Sequence, residues 1–97
     1  ANGIRVVLAS VMPVSDYFKP QTRNRPMEKI KALNEWIRAY AVKNDHIYVD
    51  YFSALTDESG LLKKDYTYDG LHPNSAGYDV ILPVAQKAVD QALRSER

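Results

Sequence analysis

In the stretch YTYDGLHPNSAGY, residues 66–78, Asp69 stands three positions before His72, with Gly70 between them. An imidazole exchanges protons near neutral pH, its free pKa being about 6.5, and can therefore serve as a general base. Such a base needs a partner on its far nitrogen to fix tautomer and orientation. Asp69 is placed to be that partner if the chain turns back between the two, and Gly70 permits the turn. Pro73 and Asn74 then lead into a helix, with Asn74 as its N-cap. Spacing alone leaves a second reading open. Asp, Gly, Pro and Asn are turn formers in their own right, and in a small non-catalytic interaction module Asp69 and His72 would be structural, capping a helix.

The other reactive residues carry less. His46 lies in a polar corner beside Asp45 and reads as a solvated surface histidine. Asp50 follows an apolar run and is expected to bond main chain or a tyrosine hydroxyl. A metal held by Asp69 and His72 would need a third or fourth ligand. The spacing of His46, Asp50 and Asp65 builds no such cluster, so neither metal nor cofactor is expected. Tyr66, Tyr68 and Tyr78 flank the turn. Their apolar bodies and polar tips would suit an acyl or sugar pocket, but the preferred expectation is that they cover the edge of the core. Cysteine is absent, which excludes a disulfide scaffold, a thiolate zinc site and a cysteine nucleophile.

The elements that must position this pair are legible from periodicity. Residues 4–11, IRVVLASV, form an apolar, β-branched run suited to a strand buried on both faces of a parallel sheet. A loop with Pro13 and Pro20 follows. Residues 25–43 repeat apolar side chains at three- and four-residue spacing (Met27, Ile30, Leu33, Ile37, Tyr40, Ala41), an amphipathic helix with Asn24 as N-cap and Pro26 in its first turn. Residues 47–52, IYVDYF, read as a second strand. After a polar, turn-rich stretch, residues 75–94 form a second amphipathic helix that Pro83 is expected to kink. A strand–helix–strand order of this length predicts two parallel strands joined by a right-handed crossover.

Composition sets the bounds. The chain has 97 residues, 45% hydrophobic and 26% charged, with a formal net charge of +1. A chain of this size hides roughly 65% of its unfolded surface on folding, enough for a thin core. Near-zero charge and no basic patch give no reason to expect nucleic acid as a partner. The apolar runs are too short for a membrane span. Compartment is not decided by these residues, and an extracytoplasmic parent is compatible with them.

The run YTYDGLHPNSAGYDVILPVAQKAV closely resembles the last sequence block of SGNH hydrolases, the GDSL-type lipases and acylhydrolases, in which an Asp-x-x-His precedes the final helix. RVVLASVMPV resembles the family's fourth strand and following loop. RNRPMEKIKALNEWIRAYAVKNDHIYVDYFSAL resembles the next helix and fifth strand. The resemblance implies an α/β fold, part of a flavodoxin-like three-layer sandwich. It also implies ester hydrolysis in which a serine attacks the carbonyl, His72 takes its proton and Asp69 orients the imidazole. The family's Gly-Asp-Ser nucleophile block and its two oxyanion-hole blocks have no counterpart in this sequence. The expectation is therefore a C-terminal fragment, residues 1–97, of such a hydrolase, inactive alone.

Two further expectations follow. In open α/β sheets, ligands bind beyond the carboxyl ends of strands, so Met12, Pro13 and Val14, just after the first strand, are candidate substrate contacts. An interior strand without its neighbours bares an apolar edge that invites pairing. The partners expected are an ester substrate and either the missing N-terminal portion or a second copy of this chain.

Overall fold

A computed structural model describes residues 4–94. Within them the order is β1 (Val7–Ala9), α1 (Met27–Lys43), β2 (Ile47–Val49), α2 (Tyr51–Leu55), a 3-10 turn (Lys64–Tyr66) and α3 (Ser75–Arg94). β1 and β2 are parallel, with Val7 opposite Ile47 and Ala9 opposite Val49. This is the α/β arrangement that the strand–helix–strand order predicts.

Side-chain alternation along β2 divides the layers. Ile47 and Val49 point to one face and pack with Ala88, Val84 and Ala92 of α3. Tyr48, pointing the other way, shares a shallow cleft with Asn34, Glu35 and Arg38 of α1. The sheet is thus sandwiched between α1 and α3. A second cluster, Leu55, Leu62 and Ile81, packs α2 and its following loop against the start of α3, with Met12, Tyr66 and Val80 at its margin.

Both strands are shorter than the apolar runs that encode them. The expectation of a first strand buried on both faces does not hold: Val7 is 38% exposed, and Ala9, on the same side, is exposed too. β2 pairs with one edge of β1, and among the described residues no strand pairs with the other, so Val7 and Ala9 lie at the margin of the layer that α3 covers over Ile47 and Val49. The second strand stops at Val49 because Asp50 caps a helix. Its carboxylate accepts the Ser53 N–H at 3.0 Å, so Tyr51 and Phe52 enter α2 instead of extending the sheet. This main-chain bond is the role expected of Asp50.

α1 begins two residues later than Asn24 suggests, with Pro26 as its N-cap and no side-chain cap. It ends in a Schellman motif: His46 N–H donates to Ala41 O at 2.8 Å and Asp45 N–H to Val42 O at 3.3 Å. Asp45 takes the left-handed position, φ 60°. His46 is half-buried, its ring tilted against Tyr40, and is less solvated than its polar neighbours imply. The apolar stripe of α1 is only partly used. Ile30 and Ala41 are buried, whereas Leu33 and Tyr40 are exposed. α3 runs unbroken through Pro83, which lies on its exposed side.

Candidate active site

The turn at residues 67–74 is built around Thr67, whose side chain is buried. Its hydroxyl donates to His72 O at 2.7 Å and accepts from Gly70 N–H at 2.9 Å and Asp69 N–H at 3.3 Å. One hydroxyl thereby uses its donor and both acceptor positions. Gly70 makes the reversal at φ +83°. Asn74 then caps α3 as expected, accepting the Gly77 N–H at 2.9 Å, while its amide donates to Asp65 O.

Inside this frame the carboxylate and the imidazole meet. His72 Nδ1 lies 2.7 Å from Asp69 Oδ2. Asp69 Oδ1 accepts the main-chain N–H groups of His72 and Leu71, each at 2.8 Å. The His72 N–H, then the imidazole, and then the Leu71 N–H hold the Asp69 carboxyl far below the usual carboxylate range. An ionised Asp69 only accepts, so Nδ1 carries a proton, and in the neutral imidazole Nε2 presents its lone pair. The Asp69 side chain is 17% exposed and that of His72 is 61% exposed. Nε2 has no hydrogen-bond partner among the described residues.

The loop after β1 is bolted to this turn. Ser15 N–H donates to Gly70 O at 2.9 Å, and the Gln21 amide donates to Asp69 O at 3.0 Å. Asp16 shapes the loop, accepting Gln21 N–H at 2.7 Å, Thr22 N–H at 2.9 Å and the Thr22 hydroxyl at 2.6 Å. Farther back, the buried Asn34 of α1 brackets Val11, accepting its N–H and donating to its C=O. The Ser15, Gln21 and Asn34 contacts were not anticipated. Nothing in the spacing of residues 10–34 pairs them with the turn, and Asn34 looks like a polar interruption of an apolar stripe.

Met12, Pro13 and Val14 lie on this loop beyond the carboxyl end of β1. Pro13 and Val14 are buried, and Val14 O accepts the Leu62 N–H. Met12 is partly open, at the margin of the Leu55 cluster. Of the three tyrosines, Tyr66 covers the core edge as expected. Tyr68 and Tyr78 do not: both are exposed, Tyr68 because alternation around the buried Thr67 turns it outward and Tyr78 on the open side of α3. The Tyr68 ring stacks on the His72 imidazole, with centroids 6.3 Å apart and planes 17° apart. His46, Asp50 and Asp65 make other contacts, and among the described residues no group of three or more His, Cys, Asp or Glu gathers as a metal site.

Fold and site together define an α/β protein that carries a carboxylate-aligned imidazole at the entrance of its last helix. Comparison with known proteins gives this class its family. The family model for GDSL-like lipases and acylhydrolases matches residues 1–80, and the chain belongs to that family. A protein assigned as an acylhydrolase from Bacteroides fragilis is similar at 36% identity and TM-score 0.80, over 95% of this chain and 45% of that one. A GDSL-like lipase from Bacteroides thetaiotaomicron is similar at 35% identity and TM-score 0.79, over 94% and 45%. A protein from Streptococcus pneumonia assigned as a platelet activating factor is similar at 32% identity and TM-score 0.74, over 86% and 40%. The chain spans less than half the length of these structures. A search of curated proteins gives no match.

Proposed function

We propose that this chain supplies the base and its orienting carboxylate to a serine esterase or acylhydrolase that cleaves carboxylic esters. His72 Nε2 takes the proton of a serine hydroxyl as it attacks the ester carbonyl, then returns it to the leaving alkoxide. Asp69 keeps Nδ1 protonated and offsets the imidazolium charge between those two transfers. The observation that carries this reading is the 2.7 Å contact between His72 Nδ1 and Asp69 Oδ2, with the rest of the imidazole open to solvent. A cap of a helix would not need the imidazole oriented in this way, since Asn74 already caps α3.

The nucleophile and the oxyanion donors come from outside these 97 residues, which form the C-terminal part of the catalytic domain. The unpaired edge of β1, with its exposed Val7 and Ala9, and the exposed Trp36 on α1 are the surfaces that receive that remaining part. Met12, the partly open residue of the loop, faces the acyl group, and Pro13 and Val14 support it. The 97-residue chain alone is expected to cleave p-nitrophenyl acetate no faster than free imidazole. Hydrolysis well above that rate, lost in His72→Ala, would show the chain to be a complete catalyst and overturn the division of labour.

A further inference from the structure

We propose that Tyr68 is the floor of a subsite for the leaving alcohol, selecting alcohols that present a ring face. The inference rests on the role of His72 given above and adds the substrate part that it leaves unnamed. Tyr68 is 64% exposed and has no core to cover. The turn that holds Asp69 and His72 also fixes its backbone: Thr67 before it is buried and bonded on three sides, and Asp69 after it is tied to Gln21. Its ring runs nearly parallel to the imidazole, at a centroid distance within the range of stacked aromatic pairs.

The chemistry of the base decides which half of an ester meets this ring. When the bond between the acyl carbon and the alcohol oxygen breaks, that oxygen takes the proton held on His72 Nε2. It must therefore lie within hydrogen-bond reach of Nε2, about 3 Å. The substituent on that oxygen then lies alongside whatever flanks the imidazole, and among the described residues the ring stacked there is Tyr68. A flat, amphipathic phenol suits the apolar face of a sugar ring or an aryl group, with its hydroxyl free for the rim of a sugar. A short alkyl alcohol would not reach it.

The test uses the enzyme that contains both this chain and the nucleophile, with one acyl group and unactivated alcohols throughout: ethyl acetate, benzyl acetate and the 6-acetate of methyl glucoside. Tyr68→Ala is expected to lower kcat/KM about tenfold for the ring-bearing esters and less than twofold for ethyl acetate. Tyr68→Phe should keep the benzyl preference. Loss confined to benzyl acetate, or to the sugar acetate, identifies which ring the floor accepts. Equal loss on all three esters would overturn the proposal by making Tyr68 a positioning residue for His72. A lowered Tm with unchanged discrimination would also overturn it, assigning Tyr68 to packing against the rest of the fold. Near-normal activity of His72→Ala would instead overturn the reading on which the proposal stands.

Discussion

Ser15 and Gly70 touch main chain to main chain, far apart in sequence. The Ser15 N–H donates to Gly70 O at 2.9 Å, and a Cβ built on Gly70 would fall 2.4 Å from Ser15 O. The loop after β1 and the turn holding the base are thus pressed together with no room for a methyl group. The geometry of Asp69 and His72 is a property of two segments, not of one turn.

Gly70→Ala should therefore damage both fold and activity. The residue must hold φ +83° at a cost of about 1–3 kcal/mol, and the new carbon meets rigid backbone. For a chain of this size, 97 residues, each kcal/mol lowers Tm by about 4–8 °C. Gly60→Ala is the control. It has the same backbone strain, φ +82°, but its Cβ would meet the flexible ends of Met27 and Lys31. A calorimetric scan should find Gly70→Ala the less stable of the two, and only Gly70→Ala should lose turnover.

Removing the base should lower turnover of the complete enzyme by several orders of magnitude, since members of a triad act as a unit. Asp69→Asn should cost about 10⁴ in kcat with little change in KM, because an amide can donate to Nδ1 and so permit the wrong tautomer. Steady-state kinetics on an acetate ester would check both, and a mild effect of either substitution would argue against the assigned roles.

Asn34 should prove structural at a distance. Asn34→Leu strands the Val11 N–H and C=O that it brackets, at about 1–3 kcal/mol per unsatisfied group. Asn34→Asp keeps the acceptor for the Val11 N–H but buries an unpaired charge against the Val11 carbonyl, so its urea midpoint should fall well below that of wild type at neutral pH.

Acid should unfold the protein through its bonded carboxylates. Asp69, Asp16 and Asp57 all have lowered pKa values: Asp69 through His72 and Leu71, Asp16 through Thr22 and Gln21, Asp57 through the Tyr17 hydroxyl and the main chain. Each binds its proton less readily folded than unfolded. The stability they contribute is complete above the unfolded value, about 4, and is lost as pH falls through the folded values. Urea midpoints should drop below about pH 4, and Asp69→Asn should flatten that drop.

Short-range features could be read directly from residue order. Both long helices follow from three- and four-residue periodicity, Asn74 capping from its place before α3, and the Asp69–His72 contact from a three-residue spacing across a glycine. These depend on side chains within a turn or two of each other, where steric and hydrogen-bond preferences act whatever the rest of the chain does. The apolar runs at residues 4–11 and 47–52 misled on strand length for the opposite reason. Hydrophobicity marks what can be buried, whereas pairing partners and the Asp50 cap set where each strand stops.

The remaining features needed the packed molecule. That Asn34 reaches Val11 and that Gln21 holds the Asp69 carbonyl both depend on contacts between segments that local spacing does not encode. The Asp-x-x-His spacing across a glycine was enough to bring a carboxylate and an imidazole together. The alignment of that imidazole depends on a buried threonine, a left-handed glycine and a distant loop, because a hydrogen-bonded turn keeps one shape only when its neighbours exclude the others.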